Sequence, residues 1–392
     1  VTRPLTITRI VVTRYAFQIA DRGPEERLGL DTVYRPGVTV SSGGRLSPGG
    51  DAILTVETDA GIRGEVPGSI DAAAASYLLG RDALQRQGIW HDLKRFYRGA
   101  GNAPPGAADV ALWDIAGKLC DLPIATMLGG FRKTLPCYAS STHGDENGGL
   151  THPEDYAAFA LQCKEAFGYP AFKIHGWVTG PVERDVAAVL AIRKAVGDEM
   201  DLMLDPAGAM GTFDDVLRVG RACDEARFMW LEDPFRGGGL SQFAHRKLKE
   251  FVKTPLLMGE HIRGLEAMSD MIESGAADYV RASARADGGI TGVMKIAALA
   301  EAHGLDVELH GGGLANRHCM AAIRNTNYHE LGGVHPRLRR TKAPIYADRQ
   351  WLDELEEVDG HGHVAVPDGP GLGVPLDWSF INAHKTGETV YE

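Results

Sequence analysis

The chain has 392 residues, 44% of them hydrophobic, and a formal net charge of −11. It is long enough for a large core and a smaller companion domain, and too acidic, with no Lys/Arg-rich run, to hold a phosphate backbone, so no nucleic-acid partner is expected. No apolar stretch reaches the roughly 20 residues of a membrane-spanning helix, and five cysteines without paired spacing speak against a disulfide framework or a thiolate zinc site.

The opening VTRPLTITRIVV lacks a charged start, a long apolar core and a small-residue cleavage site, so it reads as a first strand of a cytoplasmic protein rather than as a signal peptide. Residues 1–130 read as an α+β domain. TITRIVVTRYAFQI and DAILTVETDAGIRGEV alternate as antiparallel strands do, the second turning at Asp59-Ala60-Gly61, and helices follow up to residue 120. Between them RGPEERLGLDTVYRPGVTVSSGGRLSPGG is long for a structureless connection and reads as a functional flap. Its Tyr34 and Arg35, with Arg22, Arg27 and Arg45, are candidate contacts to the distal end of a substrate.

Over residues 131–345 one unit recurs: a short apolar strand, a polar turn, an amphipathic helix and a return. Eight strands are legible, LPCYAS, AFKIH, DLMLD, FMWLE, LLMGE, YVRAS, DVELH and YHELG, and eight such units close a barrel. Val182, Val186, Val189 and Leu190 after Pro181 form one helical stripe, and Thr291 is the expected N-cap of a helix that Gly304 ends. The segment 346–392 lacks this periodicity and is expected to fold back onto the first domain.

Asp205, Glu232 and Glu260 each close one of the apolar runs. Carboxylates at the ends of three consecutive parallel strands converge on one rim, where they offer hard oxygen ligands to a divalent cation, Mg²⁺ above all. Lys173 and His175 are two apart on one strand and share a face; a lysine pointing into a barrel must find a carboxylate or a task. Arg281 and Ser283 share their strand's inward parity, which makes both candidate substrate contacts; Arg281 binds the substrate's distal end or substitutes as the charge near His310. His261 and Arg285 are lesser candidates, since neighbours on a strand face opposite ways. His310 closes the seventh strand, where an imidazole titrating near neutrality suits proton transfer. The His310-Gly311-Gly312-Gly313 run has no G-x-S-x-G partner, which excludes a serine hydrolase of that design. His361-Gly362-His363 reads as a surface loop.

ILTVETDAGIRGEVPG, AADVALWDIAGKLCDLPIATMLGG, FKIH, MLDP, WLEDP, MGEH, DGGITG and the His310-to-Glu330 spacing occur in an order that resembles the mandelate racemase/muconate lactonizing enzyme group of the enolase superfamily. The resemblance covers nearly the whole chain. It implies a modified (β/α)8 barrel under an N-terminal α+β capping domain, with Mg²⁺ holding a substrate carboxylate while a base removes the α-proton. It implies Asp205, Glu232 and Glu260 as ligands, Lys173 as the first residue of the family's Lys-x-Lys pair, His310 as the seventh-strand base and Glu330 as the eighth-strand acid, protonated or sharing a proton. Two positions depart from the pattern: His175, a candidate catalytic acid or second base or else an orienting hydrogen-bonder, stands for the second lysine, and Ser283 for the aspartate that partners the histidine.

The expected activity is β-elimination of water from a hydroxy-carboxylate such as a sugar acid, giving a 2-keto-3-deoxy acid. Imidazolium is a far stronger acid than ammonium near neutral pH, which suits a leaving hydroxide. Racemisation or epimerisation on the same residues is the alternative, and a non-catalytic metal- or ligand-binding relative the third reading. A homo-oligomer without membrane contact is expected.

Overall fold

The structure is a computed structural model that describes residues 4–19, 23, 45–46, 51–99, 104–338 and 341–392. Tyr34 and Arg35 lie outside the described residues. So do the flap positions Arg22 and Arg27.

The chain opens with β1 (Ile7–Tyr15), β2 (Gln18–Ile19), β3 (Arg45–Leu46), β4 (Asp51–Thr58) and β5 (Arg63–Pro67). Runs of β-branched residues make β1 and β4 strands, and Ile10, Val12, Ile53 and Val56 are fully buried. β4 turns into β5 at the expected Asp59-Ala60-Gly61, where Gly61 takes φ 74° and the Thr58 N–H donates to the Ile62 carbonyl. Helices Ala72–Leu78, Arg86–Phe96 and Gly106–Cys120 follow. The last packs so close to β5 that a Cβ on Gly64 would lie 2.3 Å from the Ala111 carbonyl oxygen.

Eight parallel strands then form the barrel: β6 (Thr134–Ser141), β7 (Ala171–Ile174), β8 (Asp201–Leu204), β9 (Trp230–Glu232), β10 (Leu256–Met258), β11 (Tyr279–Ala282), β12 (Asp306–Leu309) and β13 (His329–Val334). Each coincides with one of the strands read from the sequence. The sheet order runs from β12 back to β6 and ends with β13 beside β6. The two sheet edges meet at a seam held by the buried Glu308 carboxylate, which accepts from the Asn327 and Tyr328 N–H groups at 3.0 and 3.3 Å. Inside the cylinder, Tyr138, Ala171, Met203, Trp230 and Leu257 form an apolar plug separate from the main core between strands and helices.

The helix after β11 spans Gly289–Ala302 and begins earlier than its sequence suggests: Gly288 is its N-cap and supplies no side chain, so Thr291 is not the cap. A carboxylate from the other domain does that work. Asp109 of helix Gly106–Cys120 accepts from the Thr291 N–H at 2.9 Å, and the Trp113 indole donates to the Thr291 hydroxyl at 3.0 Å. Tertiary contact has overridden the local capping signal.

The tail serves both domains. β14 (His363–Ala365) pairs antiparallel with β6, and β15 (Lys385–Tyr391) pairs with β1 to complete a sheet of order β15-β1-β4-β5. Ahead of β14, Asp353 pairs with Arg317 and His329 and accepts from the Gly313 N–H.

Candidate active site

Among the described residues, Asp205, Glu232 and Glu260 are the one group of acidic, histidine or cysteine side chains whose donor atoms converge, all within 4.8 Å of one another. The order β8, β9, β10 brings them together: Asp205 follows β8, Glu232 ends β9, and Glu260 follows a turn at Gly259, φ 126°. Asp205 and Glu232 are buried and Glu260 is half-buried. Burial pushes the Glu232 carboxyl above its ordinary range, against Arg281 and Lys173 and with help from the charges of Asp205 and Glu260. Three carboxylates forced this close disfavour one another's ionisation, and a hard divalent cation relieves that repulsion. The donor set therefore fits Mg²⁺.

Lys173 is fully buried beneath them, its Nζ 3.3 Å from Asp205, 3.0 Å from Glu232 and 3.0 Å from Glu330. His175 sits at the Asp205 end of the triad. Its Nδ1 lies 2.7 Å from the Ser141 carbonyl oxygen and its Nε2 3.2 Å from Asp205 Oδ2. A carbonyl and a carboxylate only accept, so both ring nitrogens of His175 face acceptors. Burial would raise the Asp205 carboxyl, but Lys173 and then His175 outweigh it and hold the group well below the carboxylate range.

His310 stands at the opposite end, Nε2 3.5 Å from Glu260 Oε1. Burial pushes its imidazole below the ordinary value, and Arg281 and Lys173 add to this against the pull of Glu330. A neutral ring with a free lone pair is what a base requires. His261 approaches the same Glu260 oxygen at 3.8 Å, because the strand has ended at Met258 and strict alternation no longer applies.

Three sequence-based expectations change here. Glu330 accepts from Arg281 Nη2 at 2.8 Å and the Gly311 N–H at 2.6 Å while pairing with Lys173. Those charges outweigh burial and hold it ionised, so it is not the protonated donor expected. Arg281 points inward but is fully enclosed among Glu232, Glu330 and the Tyr138 hydroxyl, beneath the triad and out of a substrate's reach. Ser283 is absorbed into a turn: its hydroxyl accepts from the Arg285 N–H and its own N–H donates to Asp287. Its hydrogen bonds go to Asp287, Arg285 and Ala286 and not to His310, and Arg285 is exposed.

The sequence reading passed over His143. Its ring meets that of His175 edge to face at 4.7 Å between centroids. The loop bearing it is tied to the end of β7 by Tyr156, whose hydroxyl bonds both the Thr142 and Gly176 carbonyls, and by the Gly144 N–H to Gly176. No spacing in the chain signals this pair, which arises where neighbouring strands end.

Residues 155–380 match the model of the enolase C-terminal domain-like family, and residues 50–129 that of the mandelate racemase/muconate lactonizing enzyme N-terminal domain. The chain belongs to the mandelate racemase/muconate lactonizing enzyme family. Within it, a D-xylonate dehydratase of Haloferax volcanii is 26% identical over 379 residues, 87% of each chain. A D-galactarolactone cycloisomerase of Agrobacterium fabrum is 28% identical over 317 residues, 78% of this chain and 81% of that one. Among solved structures, D-glucarate dehydratase from Agrobacterium tumefaciens complexed with magnesium is 28% identical, with a TM-score of 0.81 and coverage of 98% of this chain and 100% of that one. The capped barrel is the enolase superfamily fold, as the sequence resemblance implied.

Proposed function

We propose that this family member removes the α-proton of a hydroxy-carboxylate, a sugar acid, and expels the β-hydroxide to give a 2-keto-3-deoxy acid. Asp205, Glu232 and Glu260 would hold Mg²⁺, which when bound supplies electrostatic stabilisation to the doubly negative species that loss of a proton beside a carboxylate creates. Lys173 lies where an ammonium adds to that stabilisation.

One observation carries the choice of reaction: the histidines at the two ends of the triad differ in the acceptors their ring nitrogens face. At the His310 end one ring nitrogen meets an acceptor, Glu260 at 3.5 Å, and the other is left to take a proton, whereas at the His175 end both ring nitrogens face acceptors. A base opposite an acid suits elimination, because hydroxide leaves only when protonated. Racemisation asks for a base on each face of the α-carbon, and it is the second reading because the same two ends flank the substrate's place. The dehydratase names among the relatives support the first reading. Cytoplasmic location is part of the proposal; among the described residues no helix is long and apolar enough to cross a membrane.

The test is a panel of aldonic and aldaric acids incubated with enzyme and Mg²⁺ in deuterated water, with 2-keto acid trapped as it forms. Trapped keto acid supports the proposal. Deuterium at the α-carbon with an inverted stereocentre and no keto acid would replace it with the racemase.

A further inference from the structure

Four buried charges close a ring that shares Glu232 with the triad. Lys173 lies 3.0 Å from Glu232, Glu232 2.9 Å from Arg281, Arg281 2.8 Å from Glu330, and Glu330 3.0 Å from Lys173. Cation and anion alternate, and none of the four exceeds 3% exposure. The Tyr138 hydroxyl accepts from both terminal nitrogens of Arg281 at 3.1 Å, and the fully buried guanidinium is not exposed at the barrel mouth. Leaving the histidines aside, the ring cancels its own charge, and Asp205 and Glu260 remain with two negative charges, the complement of one divalent ion.

We infer that Arg281 is the resident counter-ion of the metal site: it holds the carboxylates together when no ion is bound, and it limits how tightly an ion is held. The reasoning is electrostatic. A buried carboxylate stripped of its partner is costly, and a fixed positive charge beside a ligand opposes an arriving cation. Without Arg281, Glu232 and Glu330 share only Lys173, and a third negative charge goes unmatched. Arg281 touches neither mouth nor substrate and is a positioning residue. The inference rests on reading Asp205, Glu232 and Glu260 as metal ligands, and it needs no knowledge of the substrate.

The experiment compares wild type, Arg281→Met and Arg281→Lys by thermal unfolding in EDTA and in Mg²⁺, and by titration calorimetry with Mg²⁺. Arg281→Met should lose on the order of 10 °C in EDTA, regain most of it in Mg²⁺, and bind Mg²⁺ about tenfold more tightly. Arg281→Lys should stay near wild type in affinity, since the charge persists. Should Arg281→Met not fold without metal, Arg281→Met/Glu330→Gln restores charge balance and should fold. An unchanged melting temperature in Arg281→Met, weaker Mg²⁺ binding, a lysine variant indistinguishable from the methionine one, or an unfolded double variant would each overturn the inference. Absence of Mg²⁺ binding in wild type would instead overturn the metal reading itself.

Discussion

Glu232 serves two neighbourhoods at once, the carboxylate triad above it and the Lys173 and Arg281 cations beside it. Glu232→Gln removes one charge from both. Mg²⁺ affinity should fall by at least the roughly 10–100-fold seen when outer partners of metal ligands are lost, measured by calorimetry, and metal-free stability should fall as two buried cations lose an anion. His310 touches the triad only at Glu260, 3.5 Å away. His310→Asn should therefore lower turnover by about 10²–10⁴-fold, the usual range for a general base, while Mg²⁺ affinity changes little. If turnover survives, the base lies with Lys173 or His175. The contrast between the variants separates holding the ion from moving the proton.

At the scale of elements, Asp109 shows one domain finishing another's helix. The glycines that open Gly289–Ala302 let the chain turn tightly but cap nothing, and a Cβ on Gly289 would lie 2.4 Å from an Asp109 carboxylate oxygen. Asp109→Ala should cost about 0.5–2 kcal/mol, the price of a lost cap. Burial pushes the Asp109 carboxyl up to about 7, against its bond from Thr291 and the nearby Arg86. An acid whose folded pKa is raised stabilises most below its unfolded value, about 3.9, and that contribution is lost as pH rises toward the folded value. Asp109→Asn keeps an acceptor for Thr291 and never ionises. Between pH 4 and 7 it should lose less stability than wild type, a divergence read from denaturant midpoints across that interval; parallel curves would show that Asp109 is already ionised at low pH.

Across the whole molecule, the tail staples the last barrel unit through Asp353, and here the sign reverses. Burial would raise this carboxyl, but Arg317 and then His329 outweigh it and hold it well below the carboxylate range. Its stabilisation is full above the unfolded pKa of about 3.9 and is lost as pH falls below that value. Asp353→Asn should cost about 3–5 kcal/mol at neutral pH, because Arg317 is left buried and under-compensated, and the gap to wild type should close on acidification. Thermal melts at pH 7 and pH 3 measure it. An equal gap at both would mean that packing, not charge, makes the staple.

The chain by itself determined the eight strands, because buried parallel strands are short apolar runs and their spacing leaves room for one helix each. It also marked the three carboxylates at strand ends, since chain order in a parallel barrel is spatial order. What it could not carry was anything decided across strands. The ionised state of Glu330 depends on a lysine from β7 and an arginine from β11. Ser283 held the right parity, yet the turn after β11 consumes its hydroxyl. His143 and His175 meet because adjacent strands end side by side, and Thr291 yields its cap to Asp109, 182 residues away. Periodicity is a local property, legible one segment at a time, whereas the protonation and pairing of buried charges follow from all their neighbours at once, and only the closed barrel brings those neighbours together.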